Sequence, residues 1–304
     1  MRSFGGVNDE LTIIWLFLLE ANDNWRLKTV SAGMKDFSMH YHISTPRKAA
    51  YILAATDHGT MIINRFDYHR IVNQDFAYGV GHSLLESGCF DPQDILCLKD
   101  ILSVLRKLRG EGVVAVDIGA NLGVHTIEWA KHMTGWGYVT AVEAQERIYY
   151  ALGGNIALNN CFNARALNIA IADTNTTIKI PKPDYCSPGS FGSLELQEGP
   201  RNEFIGQSIS YNNDSMVEID VRTIDSFTLP RLDLLKIDVE GMEMAVLQGA
   251  IETIKKQRPV MFIEHIKIDM DVLTRFMDTI DYKIICVGMN SIAFHIDDPV
   301  SSYL

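Results

Sequence analysis

Cysteine is scarce and scattered. The five thiols, at Cys89, Cys97, Cys161, Cys186 and Cys286, are odd in number and form no Cys-x-x-Cys pair. That argues against a disulfide framework or a zinc knuckle and fits reduced thiols in a cytoplasmic protein. Long apolar runs are missing as well. The longest, Leu11–Leu19, is too short to span a bilayer, and Asp9 and Glu10 precede it where a signal peptide carries positive charge. A core or interface segment is expected there, with no membrane span. Basic residues are in deficit: 27 Lys and Arg face 38 Asp and Glu, for a net charge of −11. A duplex nucleic-acid partner is disfavoured, because phosphate contacts need a basic face. No internal repeat or low-complexity tract occurs.

What is present is one organising stretch, Val113–Thr126. Four small or β-favouring apolar residues run into Asp117, a turn carries glycines at 119 and 123, and Ile127, Ala130 and Met133 continue on one helical face. A buried strand, a glycine turn and a helix start form a nucleotide-type crevice, where glycine lets the backbone approach a ligand and the helix leaves free N–H groups. The G-x-G-x-x-G dinucleotide fingerprint is absent, since Asn121 and Val124 stand where its later glycines would be. A second strand, Val139–Glu143, ends in a carboxylate that can accept hydrogen bonds from a ribose diol. Asp117, this turn and Glu143 resemble the S-adenosylmethionine (SAM) site of class I methyltransferases.

The remaining chain alternates strands and helices. Asp91 and Pro92 open a helix, with Asp91 as its cap, and Gly110 closes it. A helix over 151–160 and a strand over 164–172 follow, and Asn168 and Ile169 fall where adenine would be read. Residues 181–215 read as a long irregular loop, of the kind that forms lids or binding loops. Strands at 216–221, 232–238 and 259–265, a helix over 241–256, another around 273–277 and a closing hairpin, 283–287 with 292–296, complete the pattern. The expectation is an α/β fold: a doubly wound, mostly parallel sheet with an antiparallel strand near its C-terminal end. Residues 1–85 lack this alternation and read as a β-rich extension, a lid or a dimer element that would make the protein a homodimer, ahead of a catalytic domain over 86–304. His40 and His42 share a strand face there, and a packing or surface pair is favoured over a metal pair.

Ligands of an open α/β sheet lie beyond the carboxyl ends of its strands. Asp117, Glu143, Asp238, Glu264 and His265 all belong to that edge. For methyl transfer to a hydroxyl, Asp238 or His265 can act as base, with Glu240 beside them. Alternatively Asp238, Glu240 and Glu264 offer hard ligands to a divalent ion. The capping and helix-dipole readings of Asp238, Glu240 and Glu243 compete with these. The run Asp238-Val-Glu-Gly replaces the Asn/Asp-Pro-Pro-aromatic run usual in amino-group methylation, so oxygen is the preferred acceptor.

With these segments in place, the sequence resembles the FkbM-type family of SAM-dependent methyltransferases. The resemblance is carried by Val116–Thr126, Glu143, Asn155–Asn159, Asp225, Leu234–Glu243, Gly249-Ala250 and Pro259–Glu264. It implies a Rossmann-like methyltransferase domain with SAM as donor, held by Asp117, Gly119, Asn121, Gly123, Thr126 and Glu143, with Asn168 and Ile169 added from their place at the next strand end. It also implies O-methylation of a small-molecule, sugar, glycan or natural-product acceptor. The alternative is a SAM-binding module that has lost catalysis and acts through its N-terminal extension.

Overall fold

The computed structural model describes residues 17–18, 26–27, 48–71, 76–200 and 202–303. The histidine pair at 40 and 42 lies outside these residues, as does most of the 11–19 run. Met1–Lys48 forms one compact unit, in which Phe17–Leu18 pairs antiparallel with Arg26–Leu27. Ala49–Leu304 forms the other. The expected boundary at 85/86 falls inside a helix of this second unit. Among the described residues, no helix is long and apolar enough to cross a membrane.

In chain order the second unit comprises β1 (Tyr51–Thr56), β2 (Gly59–Asn64), α1 (Val80–Ser87), α2 (Pro92–Arg109) and β3 (Val113–Ile118). Then come α3 (Val124–His132), β4 (Gly137–Val142), α4 (Glu146–Leu158), β5 (Ala164–Leu167), β6 (Ala170–Ile171), β7 (Thr176–Pro181) and β8 (Met216–Arg222). The last elements are β9 (Leu234–Ile237), α5 (Glu243–Gln248), α6 (Ile251–Gln257), β10 (Val260–Glu264), α7 (Met270–Asp278), β11 (Tyr282–Val287) and β12 (Asn290–His295).

Seven strands form the central sheet in the order β11-β12-β10-β9-β3-β4-β5. Pairing is parallel from β10 through β5, and β12 inserts antiparallel to both neighbours. The expected doubly wound sheet with a late antiparallel strand is what forms. Period-two alternation divides its residues between two cores. Val113, Ala115, Leu234, Val260, Phe262 and Ile292 pack with the inner residues of α2 and α3. Val116, Ile118, Leu235, Ile237, Met261 and Ile263 pack with α5, α6 and α7. Strand order reverses between β3 and β9, and the crevice beyond their carboxyl ends is the place such sheets hold ligands.

Three expectations change. The strand over 164–172 is two strands: β5 joins the central sheet, while β6 joins β7 and β8 in a separate three-stranded sheet. Alternation reports that a strand has one buried face, not which sheet receives it. The helix over 241–256 is interrupted at Gly249-Ala250. Gly249 turns its carbonyl to accept from the Asp225 N–H, and a Cβ here would stand 2.0 Å from the Ala172 carbonyl oxygen. Asp225 in turn accepts from the N–H groups of Glu252 and Thr253, capping α6. Finally, the Asp91 side chain makes no capping bond to α2.

Gly249→Ala should lower stability by roughly 1–3 kcal/mol, the usual cost of forcing an atom into a packed contact. Denaturant unfolding checks this; unchanged stability would mean that the Ala172 strand backs away freely.

Candidate active site

One cavity of about 530 Å³ opens over the switch point, a size suited to a small-molecule site. The turn after β3, the end of β4 and the β5–β6 link line one half of it. The ends of β9 and β10, the start of α2 and the turn before β12 line the other.

The turn is fixed by backbone geometry. Gly119 has φ +74°, and both its N–H and that of Ala120 donate to the Val142 carbonyl at 3.0 and 2.9 Å. A Cβ on Gly119 would lie 1.7 Å from the Asp238 carbonyl oxygen, so only glycine lets β3 and β9 close at this point. Asn121, also at positive φ, donates its N–H to Glu143 Oε2 at 3.0 Å. Gln145 N–H donates to Glu143 Oε1 at 2.7 Å. Burial pushes the Glu143 carboxyl up to about 7, against those two backbone bonds, which lower it.

Of the residues singled out from the sequence, Gly119, Asn121, Glu143, Ile169, Asp238, Glu240 and Glu264 line the cavity wall. Asp117, Gly123, Thr126, Asn168 and His265 are not in it. Asp117 is fully buried and accepts from Thr126 Oγ1 at 2.6 Å, tying the turn to the start of α3. Asn168 donates to the Glu143 and Ala144 carbonyls, shaping the loop beyond β4. His265 Nδ1 lies 2.8 Å from Ser291 Oγ, so this residue, considered as a base, is engaged outside the cavity.

Sequence reading overlooked the residue that joins the two strands at the switch point. Lys236 stands in the fully buried strand β9, in register with Asp117 on β3. Its Nζ lies 2.9 Å from Asp238 Oδ2 and 3.6 Å from Asp117 Oδ1. Burial alone pulls an ammonium pKa down, but the Asp238 and Asp117 carboxylates outweigh it and hold Lys236 protonated. A lysine inside the apolar run Leu-Leu-Lys-Ile was the available signal, because a charge is buried only with a partner.

A second lysine orders the other half. Lys267 Nζ lies 2.8 Å from Glu195 Oε1, 2.5 Å from Glu240 Oε2 and 3.8 Å from Glu203 Oε2. Glu203 also accepts from Tyr78 Oη at 2.6 Å. These contacts tie the long loop after β7 to the end of β9. The loop's other anchor is Phe191, fully buried, with its N–H donated to Asp67 Oδ1 and its carbonyl accepting from Gln145 Nε2. The loop is therefore a wall of the cavity, with Ser190, Gly192, Ser193 and Leu194 facing in.

Oxygens of Asp238, Glu240 and Glu264 all lie within 4.8 Å of one another. Burial, then the Asp238 and Glu240 charges, push Glu264 well up. Burial also pushes Glu240 up to about 7, although Lys267 lowers it. As a cradle for a divalent ion the trio fits poorly, because Lys236 and Lys267 already set ammonium groups against two of its three members. A further multiply charged cation would meet their repulsion.

A family model described as "Methyltransferase FkbM domain" matches residues 117–283. No curated protein matches the chain. Among solved structures, it is similar to the methyltransferase FkbM of Methylobacillus flagellatus KT, at 20% identity and TM-score 0.44, over 60% of this chain and 44% of that one. It thus spans less than half the length of that relative. It is also similar to a precorrin-6y C5,15-methyltransferase of Geobacter metallireducens GS-15, at 14% identity and TM-score 0.38, over 68% of this chain and 89% of that one. A putative caffeoyl-CoA O-methyltransferase of Staphylococcus aureus is similar at 10% identity and TM-score 0.42, over 70% and 88%. The family match spans more than half of the 304 residues and includes the turn, Glu143, Lys236 and the acidic cluster; the chain belongs to the FkbM methyltransferase family.

Proposed function

We propose that the protein is a SAM-dependent O-methyltransferase acting on a hydroxyl of a sugar, glycan or natural-product acceptor, with Asp238 as its base. The observation that carries this reading is the placement of Asp238 in the cavity wall. One of its oxygens is held by Lys236 and its side chain is 35% exposed, beside the turn that begins at Gly119.

Bound SAM supplies a methyl group on a positively charged sulfur. The chain's own residues do the rest. Glu143 uses one lone pair of each oxygen on backbone N–H groups, and its remaining lone pairs suit the two ribose hydroxyls. Ile169 and Val142 offer apolar contact to the adenine. The free oxygen of Asp238 would take the proton of the acceptor hydroxyl as the methyl group passes to that oxygen, the carbon–sulfur bonding pair staying with the sulfur to leave the neutral thioether. Lys236, held in its charged form 2.9 Å from Asp238 Oδ2, acts as a fixed charge rather than a proton carrier. Proton removal of this kind contributes about 10²–10⁴-fold in rate. No step is routed through a metal.

Titration with S-adenosylhomocysteine (SAH) tests the cofactor. Affinity should rise as pH passes upward through about 7, because the ionised Glu143 is the form that accepts from a ribose. Glu143→Ala should weaken binding about tenfold or more and remove that pH dependence. A pH-independent affinity in the unaltered protein would separate Glu143 from the ribose.

Asp238→Asn should keep SAH binding and lower transfer at least about 100-fold. An unimpaired rate would return Asp238 to a structural role, and a wild-type protein that binds SAH but never turns over would favour the decayed-module alternative. EDTA treatment should leave transfer unchanged; loss restored by Mg²⁺ would revive the divalent site at Asp238, Glu240 and Glu264.

A further inference from the structure

Resting on that reading of the cavity, we propose that the acceptor carries an ammonium group close to the methylated hydroxyl and no anionic group, as an amino sugar or a related amino alcohol does. The geometry behind this is a wall rich in hydrogen-bond acceptors whose donors are already committed. Asp91, Asp94, Glu203, Asp238, Glu240 and Glu264 all line the half of the cavity away from Glu143. Against these six carboxylates stand two lysines. Lys236 is held by Asp117 and Asp238, and Lys267 by Glu195 and Glu240. The Asn290 amide donates to Asp94 at 3.0 Å, and the Tyr78 hydroxyl to Glu203.

Two carboxylates are left over. Among the described residues, neither Asp91 nor Glu264 has a side-chain hydrogen bond or an ion pair, although both are largely withdrawn from solvent. Asp91 was expected to cap α2, yet it sits at φ +46° with its carboxyl in the cavity wall instead. Burial, then Asp94, push it up to about 6.

A separate observation concerns His125. It lines the same cavity at 7% exposure, and its buried Nε2 has no partner. Burial, followed by the Lys236 charge, pulls its pKa down to about 3, so the ring is neutral and offers a lone pair. A buried polar atom without a partner is costly, and in the tautomer that leaves the lone pair on Nε2 a ligand that brings donors relieves the cost.

An ammonium group brings three N–H donors and a positive charge, which matches carboxylates without partners. Asp238 lies beside the turn and is already paired with Lys236. Asp91 at the start of α2 and Glu264 at the end of β10 remain for the acceptor. A phosphate or carboxylate on the acceptor would face a wall in which six carboxylates stand against two lysines that are already paired. A neutral polyol would supply donors but leave the charge uncompensated.

The test uses the full chain saturated with SAH at pH 7 and titrated, by ligand-observed NMR, with D-glucosamine, 2-amino-1,3-propanediol, N-acetyl-D-glucosamine and D-glucuronate. D-glucosamine should bind at least tenfold more tightly than its N-acetyl form, about 1.4 kcal/mol, with glucuronate weakest. Asp91→Asn and Glu264→Gln should each shrink the ratio of the first two affinities. The proposal is overturned if SAH is bound but neither amine binds saturably, or if N-acetylglucosamine or glucuronate binds as tightly as glucosamine. Failure of SAH itself to bind is a different result: it removes the cofactor reading first, and this inference with it.

Discussion

The buried ammonium of Lys236 is the interaction on which the rest of the site depends. A lysine in the middle of a central strand loses its hydration, and an unpaired charge there costs several kcal/mol. Lys236 is tolerable because the register of β9 against β3 sets it opposite Asp117, with Asp238 two residues further along its own strand. The dependence is mutual. Asp117 is fully buried, and its second oxygen holds Thr126 at the start of α3. Removing the ammonium would leave two carboxylates facing each other across the switch point. Strand register, turn, helix start and candidate base are thus linked through one charge. That linkage explains why a polar residue persists in a strand otherwise built of Leu and Ile.

The two halves of the cavity are built by different means. On the side of β3, β4 and β5, the backbone does most of the work: a glycine turn bonded to the end of β4, and N–H groups that orient Glu143. On the side of β9, β10 and β12, side chains do it, and their charges are predominantly negative. Burial first, and neighbouring carboxylates after it, displace Asp91 and Glu264 upward, and burial displaces Glu240 upward despite Lys267, while Glu128, held by His58 and Lys99 elsewhere in the fold, is pulled down to about 2.

Much of the fold was legible because buried parallel strands write themselves as continuous apolar runs. Val113–Val116 and Val260–Ile263 are examples, and the closing hairpin announced itself by Gly288 between two alternating segments. What was not legible depended on distant parts of the chain. The break after Gln248 follows from contact with Ala172, more than seventy residues earlier. Strand β8 alternates as a sheet strand does, yet pairs outside the central sheet. His265 follows a strand end directly, but its ring turns to Ser291, which is a matter of side-chain direction that residue spacing does not encode. Asp91 had the right type and position for a cap, and the left-handed backbone there takes its carboxyl elsewhere.

The same contrast governs the site. Backbone-built features leave a compact trace, since a turn at positive φ needs glycine within a few residues of its strand, and Gly119, Asn121 and Glu143 could be located on that basis. The opposite wall draws on Asp91 from α2, Glu203 from the long loop, Glu264 from β10, and Lys267 and Asn290 from the turns flanking the last elements. No spacing rule joins those positions; only the closed fold does. Lys267 shows the consequence, for it pairs with Glu240 beside the candidate base and with Glu195 and Glu203 on the loop that covers the cavity. Any movement of that loop therefore changes the charge seen by Glu240. The loop wall and the carboxylates at the end of β9 are in this way parts of one electrostatic network, separate from the backbone cradle on the other side.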